Sequence, residues 1–296
     1  MASTFSAITM RVPDIVQKCV GFLMYRGKRR DGPELAGTAF LVQYPIAVTG
    51  KALLYLVTAY HVIAHVIQHS VDGKVWLRAN LKDGRIINIE THASDWYRHP
   101  TDTSVDVAVL PWQPTLEQGW QLDLVPIGTN DLFGTEENLR AADVGIGDDI
   151  FITGLFSRFI GNESNLPIIR MGSIALIPRE PVSTKFGDME AVLVEVRSIG
   201  GLSGSPVFVY HFGPRIVKPE TRGVFYLLGL VHGHWDMPTD ASQDSAFDSE
   251  RLNMGIAIVV PAQKIMEVIN HPRLQEFRAV VEKRDGVGGA AIESEK

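Results

Sequence analysis

The sequence predicts an all-β fold, built as a barrel or a sandwich. Most of the chain consists of short apolar runs that are rich in β-branched and aromatic residues and have the length of strands. Gly, Pro, Asp or Asn separates one run from the next, and no regular helix pattern stands between consecutive runs as βαβ units would require. The chain has 296 residues of which 45% are hydrophobic, enough to bury a full core.

The strand candidates fall into two groups along the chain. Asp83-Gly84 lies between two runs of the first group and predicts a hairpin turn there. Pro111, Pro114 and Pro126 punctuate the segment between the groups and predict a linker that crosses from one to the other. The candidates are residues 37–42, 52–58, 74–78 and 85–90 in the first group, and 149–154, 173–177, 191–196, 207–210 and 225–231 in the second.

The C-terminal part follows a helical pattern instead. Apolar residues recur at helical spacing from Pro261 to about Lys283. Pro261 suits a first turn and Pro272 interrupts the pattern, so we expect two helical pieces packed on the body. The predicted organisation is an N-terminal segment 1–34, a first β domain 35–125, a second β domain 126–260, helices 261–284 and a disordered tail 285–296.

Composition excludes some functions and predicts a compartment. The formal net charge of −6 argues against a general nucleic-acid binder, and the short basic patch 26–30 is interpreted as a solvated loop. Cys19 is the one cysteine, so an internal disulfide cannot form. The N-terminus lacks a secretory pattern, and no apolar run reaches the length of a membrane span. We therefore expect a cytoplasmic protein without a nucleic-acid or membrane partner; the oligomeric state is left open.

The segment from Gly200 to Phe208 has the composition of a catalytic turn. Glycines around Ser203 permit a tight backbone that can approach a substrate closely. Such a turn can direct the N–H groups of Gly201 and Ser203 at one oxyanion, with the Ser203 hydroxyl alongside as nucleophile. The same residues between two strands can also form an ordinary turn, so the segment by itself leaves both interpretations open.

Two further residues complete a possible site. His61 directly follows an apolar strand candidate, and Asp106 opens another. A buried aspartate can accept a hydrogen bond from an imidazole, which fixes the tautomer and leaves the other ring nitrogen to take the proton of Ser203.

In this order, these segments resemble the trypsin-like (chymotrypsin-fold) serine peptidases, in particular the disulfide-free bacterial type. The family carries Thr-Ala-Ala-His, Asp-Ile-Ala-Leu and Gly-x-Ser-Gly-Gly-Pro, where this chain has Thr58-Ala-Tyr-His61, Asp106-Val-Ala-Val and Gly201-Leu-Ser-Gly-Ser-Pro206. Segments 37–42, 147–154 and 229–233 are similar to other strands of that family, so the resemblance spans roughly residues 35 to 260.

The resemblance implies two antiparallel six-stranded β-barrels with the site in the cleft between them. It assigns His61 as general base and acid, Asp106 as the residue that orients it, Ser203 as nucleophile, and the N–H groups of Gly201 and Ser203 as the oxyanion hole. No cofactor or metal is implied. Leu202 stands where animal trypsins have the aspartate that pairs with a new N-terminus, so activation of that kind is not expected.

The resemblance also suggests a substrate pocket. Arg197 matches its base and His232 lies nearby, which would favour an acidic side chain before the cleaved bond. Arg197 could equally point outward and pair with Glu195.

Three other interpretations of these residues were considered. An α/β-hydrolase elbow needs a glycine at position 205, which is serine, and a different triad order. A metal site at His61, His65 and His69 has helical spacing but no carboxylate among its members. Asp102 could replace Asp106 as the orienting acid, although its setting is loop-like.

The sequence therefore predicts a serine endopeptidase that hydrolyses protein or peptide substrates through an acyl-enzyme. The alternative is a catalytically silent barrel that acts as a protein-binding module.

Overall fold

The computed structural model of the protein describes residues 12–28, 32–46, 50–115, 119, 121–184, 187–196, 201–211, 224–237 and 252–293. In chain order the elements are α1 (Asp14–Lys18), β1 (Val20–Arg26), β2 (Pro33–Pro45), β3 (Ala52–Thr58), α2 (Tyr60–His69), β4 (Lys74–Asn80), β5 (Ile86–His92), a 3₁₀ turn (Ala93–Asp95), β6 (Tyr97–Arg98), β7 (Ala108–Pro111), β8 (Ile127–Gly128), α3 (Glu136–Ala141), β9 (Asp149–Gly154), β10 (Ile168–Leu176), β11 (Val182–Thr184), β12 (Gly187–Met189), β13 (Val192–Glu195), β14 (Pro206–His211), β15 (Val224–Met237), β16 (Leu252–Pro261), α4 (Ala262–Ile269) and α5 (Pro272–Glu293). The predicted all-β class is confirmed.

Strands β1 to β8 form one sheet in the order β5-β4-β1-β2-β3-β7-β6, and β8 pairs in parallel with β2. The two end strands, β5 and β6, are joined along the chain only by the 3₁₀ turn and Trp96, so the edges of the sheet meet at that corner. The resemblance implies that this sheet also closes into a barrel, and that closure stays a prediction. Its inner face packs Phe40, Tyr55 and Leu77, all buried, into one core.

Strands β9, β10 and β13 to β16 close into a six-stranded barrel in the order β10-β13-β16-β15-β14-β9. All of its pairings are antiparallel. Alternate residues of these strands turn inward and form the core, because successive side chains of a strand point to opposite faces. Ile152, Val194, Val207 and Val259 are among the buried residues of this core.

The first sheet still includes residues 127 and 128, although the predicted boundary between the two β domains lies before residue 126. Strand β8 pairs with Val42 and Gln43 of β2, and only then does the chain pass through α3 into the barrel. Thr135 caps α3, since its side chain accepts a hydrogen bond from the N–H of Asn138 at 3.2 Å.

The C-terminal helices break where the prolines predict. Pro261 directly precedes α4, and Pro272 is the first residue of α5. Buried side chains of α4, among them Ile265 and Ile269, join a core that contains residues of the first sheet together with Leu227, Leu230 and Val260 of the barrel. Helix α5 runs to Glu293 and so covers most of the tail predicted to be disordered, since no proline after Pro272 interrupts it.

None of the helices in the described ranges combines the length and the apolar character that crossing a bilayer requires.

Candidate active site

His61 lies in the first turn of α2, directly after strand β3. The strand is fixed in the middle of the sheet by β2 and β7, and Ala59 continues in an extended conformation before the helix begins. Val62, Ile63 and Val66 bury one side of α2. The imidazole of His61 is thereby held just beyond the C-terminal end of β3, with 26% of its side chain exposed.

Asp106 precedes β7 and contacts His61 through both carboxylate oxygens. Oδ1 accepts a hydrogen bond from the backbone N–H of His61 at 2.8 Å, and Oδ2 lies 2.7 Å from Nδ1 of the ring. An ionised carboxylate only accepts, so Nδ1 carries the proton and the basic lone pair is on Nε2. Asp102, the alternative, is instead bonded to Ser104 within its own loop.

The charge of Asp106 is maintained by its neighbours. Burial by itself would raise the pKa of this carboxyl, but hydrogen bonds from His232 and His61, together with their charge, outweigh burial and hold the pKa well below its usual range. Asp106 is therefore anionic at any pH at which the protein would operate.

His232 has a different neighbour from the one expected. Its Nδ1 lies 2.5 Å from Oδ2 of Asp106, and only 3% of its side chain is exposed. The rings of His61 and His232 meet edge to face, with centroids 5.5 Å apart. A role for His232 in a substrate pocket stays a prediction, whereas its contact with the carboxylate is a feature of the fold.

The turn that contains Ser203 packs against the strand end that precedes His61. Gly201 and Gly204 have φ angles of 104° and 80°, which favour glycine. A Cβ on Gly204 would collide with Thr58 and lie 3.0 Å from the backbone nitrogen of Ala59. This close approach brings the Ser203 turn against the segment that leads into His61.

Thr38 of β2 holds the same turn from the other side. Its N–H donates to the carbonyl of Ser203 at 3.0 Å, and its hydroxyl donates to the carbonyl of Gly201 at 3.3 Å. The hydroxyl also accepts from the N–H of Leu155, and the Thr38 carbonyl accepts from Thr58. Thr38 was not among the predicted site residues, although it lies within the 37–42 segment that carries part of the resemblance.

Other predicted site residues fall in three places. Leu202 is buried in the core of the barrel, which anchors the turn. His65 and His69 stack on each other, and Nε2 of His65 lies 3.0 Å from the Tyr25 hydroxyl, whereas His61 clusters with Asp106 and His232 instead. Arg197 lies outside the described residues.

His61, Asp106 and His232 form a cluster compact enough to consider a metal ion, since their donor atoms lie within 4.8 Å of one another. A tetrahedral zinc ion with bonds of about 2.0–2.1 Å spaces its ligand atoms about 3.3 Å apart. The nitrogen–oxygen distances here are 2.7 and 2.5 Å, which are hydrogen-bond lengths. The cluster is therefore built for hydrogen bonds between the rings and the carboxylate.

Comparison with known proteins gives structural neighbours only. No family model matches the chain, and neither does any curated protein. The MamO protease domain from Magnetospirillum magneticum is similar with a TM-score of 0.48 and 14% identity, over 85% of this chain and 96% of that one. The Rv3671c protease from M. tuberculosis, in its active form, is similar with a TM-score of 0.45 and 16% identity, over 86% and 81%.

Proposed function

We propose that the protein is a serine endopeptidase of the trypsin-like type, with Ser203 as nucleophile. The observation that carries the proposal is the double contact of Asp106 with the backbone and the ring of His61, next to the glycine-rich turn of Ser203. This arrangement gives the ring a fixed orientation and tautomer, which a general base for a serine needs.

The reaction follows from that geometry. Nε2 of His61 takes the proton of Ser203 as Oγ attacks the carbonyl carbon of the scissile peptide bond, and Asp106 stabilises the imidazolium that forms. The N–H groups of Gly201 and Ser203 stabilise the tetrahedral oxyanion. His61 then gives its proton to the leaving amine, and water, deprotonated by His61, releases the acyl group from Ser203 in the second half.

The test is covalent labelling with a fluorophosphonate probe, read by intact mass. We expect one adduct on the wild type, none on Ser203→Ala, and a rate lowered by at least about 100-fold in His61→Ala. Ser157→Ala and His65→Ala are the matched controls, since both residues lie outside the cluster, and both should label like the wild type. A folded wild type that takes no adduct would instead favour a silent protein-binding module.

An acidic residue before the cleaved bond is the proposed substrate preference, and it rests on Arg197 in the sequence. Profiling with a peptide library should enrich Asp and Glu at that position, and Arg197→Gln should remove the enrichment while leaving the labelling of Ser203 intact. A profile without acidic enrichment excludes this preference. A cytoplasmic location also stays a prediction.

A further inference from the structure

We propose that His232 is a positioning residue of this site: it holds Asp106 from the barrel side, so that the carboxylate keeps His61 aligned with Ser203. The proposal rests on the proposed function, but its central contact can be measured without any activity.

The carboxylate of Asp106 has three donors. Oδ1 takes the backbone N–H of His61, and Oδ2 takes Nδ1–H from both His61 and His232. A carboxylate offers about four lone-pair sites, so three donors from two directions leave it little freedom to rotate. With His61 alone, the carboxylate and the ring could turn together; the second ring prevents this.

The contact crosses between the two halves of the molecule. His61 follows strand β3 and Asp106 precedes strand β7 of the first sheet, whereas His232 lies on β15 of the closed barrel. The hydrogen bond therefore fixes the base and its acid against the barrel that carries the nucleophile. Catalysis is sensitive to such placement, because reacting groups must be held close to their productive geometry.

Val231, the residue before His232, is hydrogen-bonded to the turn that contains Ser203. The Val231 carbonyl accepts from the N–H of Gly204 at 2.9 Å, and its N–H donates to the carbonyl of Ser205 at 2.9 Å. Two consecutive residues of β15 thus contact the two parts of the site: Val231 the turn of Ser203, and His232 the carboxylate. Val231 and His232 therefore fix the distance between the turn of Ser203 and the carboxylate of Asp106.

His232 also acts on the charge of the site. The titratable groups that act on Asp106 are His61 from α2 and His232 from β15. A donor on Oδ2 disperses the negative charge, so its removal makes Asp106 a stronger partner for protonated His61. Loss of His232 should therefore change the strength of the hydrogen bond between Asp106 and His61 as well as loosen the orientation of the His61 ring.

The experiment compares His232→Leu with His232→Asn, which have nearly the same shape but differ in that the amide of Asn can donate from the position of Nδ1. We expect His232→Leu to lower kcat for a peptide substrate by about 10- to 100-fold with little change in KM. His232→Asn should recover most of that loss. His234→Leu, two residues along the same strand, is the control and should behave like the wild type.

NMR of the histidine rings supplies the readout that does not need activity. The wild type should show hydrogen-bonded Nδ1 protons for both His61 and His232, and His232→Leu should lose the one assigned to His232. These signals separate failure of this proposal from failure of the proposed function, since they are expected even if Ser203 never labels.

Three results would overturn the proposal. The first is the absence of a hydrogen-bonded Nδ1 proton assigned to His232 in the wild type, which is decisive even if His232→Leu does not fold. The second is a folded His232→Leu with an unchanged kcat. The third is a His232→Asn as impaired as His232→Leu, because ring shape rather than the hydrogen bond would then matter.

Discussion

At the scale of single residues, the structure distinguishes between the two aspartates that could orient His61. Asp106 contacts His61, while Asp102 is bonded within its own loop. Asp106→Asn should lower kcat by about 10²- to 10⁴-fold, because an amide next to Nδ1 favours the wrong tautomer. Asp102→Asn is the control and should leave kcat near the wild type; equal losses in the two variants would contradict the assignment. Peptide hydrolysis at fixed pH measures both.

Thr38 is the second residue with a defined effect. Its hydroxyl donates to the carbonyl of Gly201 and accepts from Leu155, so Thr38→Val removes both bonds at nearly constant volume. We expect the rate of Ser203 labelling to fall by about tenfold, since the peptide groups of the turn lose one of their supports. Thr38→Ser keeps the hydroxyl and should restore most of the rate. A valine variant that labels normally would limit Thr38 to a packing role.

Asp106 also predicts how stability depends on pH. Its pKa in the folded state lies below the ordinary value of 3.8, so the folded state binds this proton less readily than the unfolded chain does. The resulting stabilisation is complete above that ordinary value and is lost as the pH falls towards the folded pKa. Urea unfolding at a series of acidic pH values should show that the free energy of unfolding falls by an amount on the order of 2 kcal/mol. Asp106→Asn should lack this component, and an identical acid slope in the variant would contradict the prediction.

At the scale of elements, Arg278 attaches α5 to the first sheet. Its guanidinium donates to the Tyr55 hydroxyl at 3.1 Å and to the carbonyl of Ile269 at 2.7 Å, and it lies over the ring of Tyr44. Because Arg278 is buried, Arg278→Leu leaves these acceptors unpaired and should lower the free energy of unfolding by about 2–3 kcal/mol. Arg273→Leu, on the exposed part of the same helix, is the control for urea unfolding. Equal stability of the two variants would mean that the helix is held by its apolar contacts alone.

At the scale of the whole molecule, Arg78 links the two halves away from the site. This buried residue of β4 donates to the carbonyl of Gly161 at 2.6 Å and to Asn165, in the segment that connects β9 and β10 of the barrel. Phe159 on that segment is 62% exposed. Arg78→Leu should free the segment, so chymotrypsin should cleave after Phe159 several times faster, with opening of the loop as the limiting equilibrium. Arg85→Leu on an exposed hairpin is the control, and unchanged cleavage in Arg78→Leu would contradict the link.

The sequence by itself indicated many of the strands and both C-terminal helices, and it put forward His61, Asp106 and Ser203 as candidate site residues. Strand patterns are local, and the β9 strand has the bounds that its residues predict, Asp149–Gly154. His61, Asp106 and Ser203 each stand at the end or the start of an apolar strand, where a backbone can present a side chain to a cleft. Proline positions likewise marked the helix starts at Ala262 and Pro272.

Only the tertiary structure decided how distant elements meet. His232 contacts Asp106 across 126 positions of the chain, and Thr38 contacts Gly201 across 163. The buried side chains of α4 pack into a core that the first sheet shares with strands β14, β15 and β16 of the barrel, an arrangement that their apolar spacing leaves open. Periodicity states which face of an element is buried, but not which surface covers it. The covering surface depends on how the barrel closes and how the two halves of the molecule pack, and both depend on all strands together.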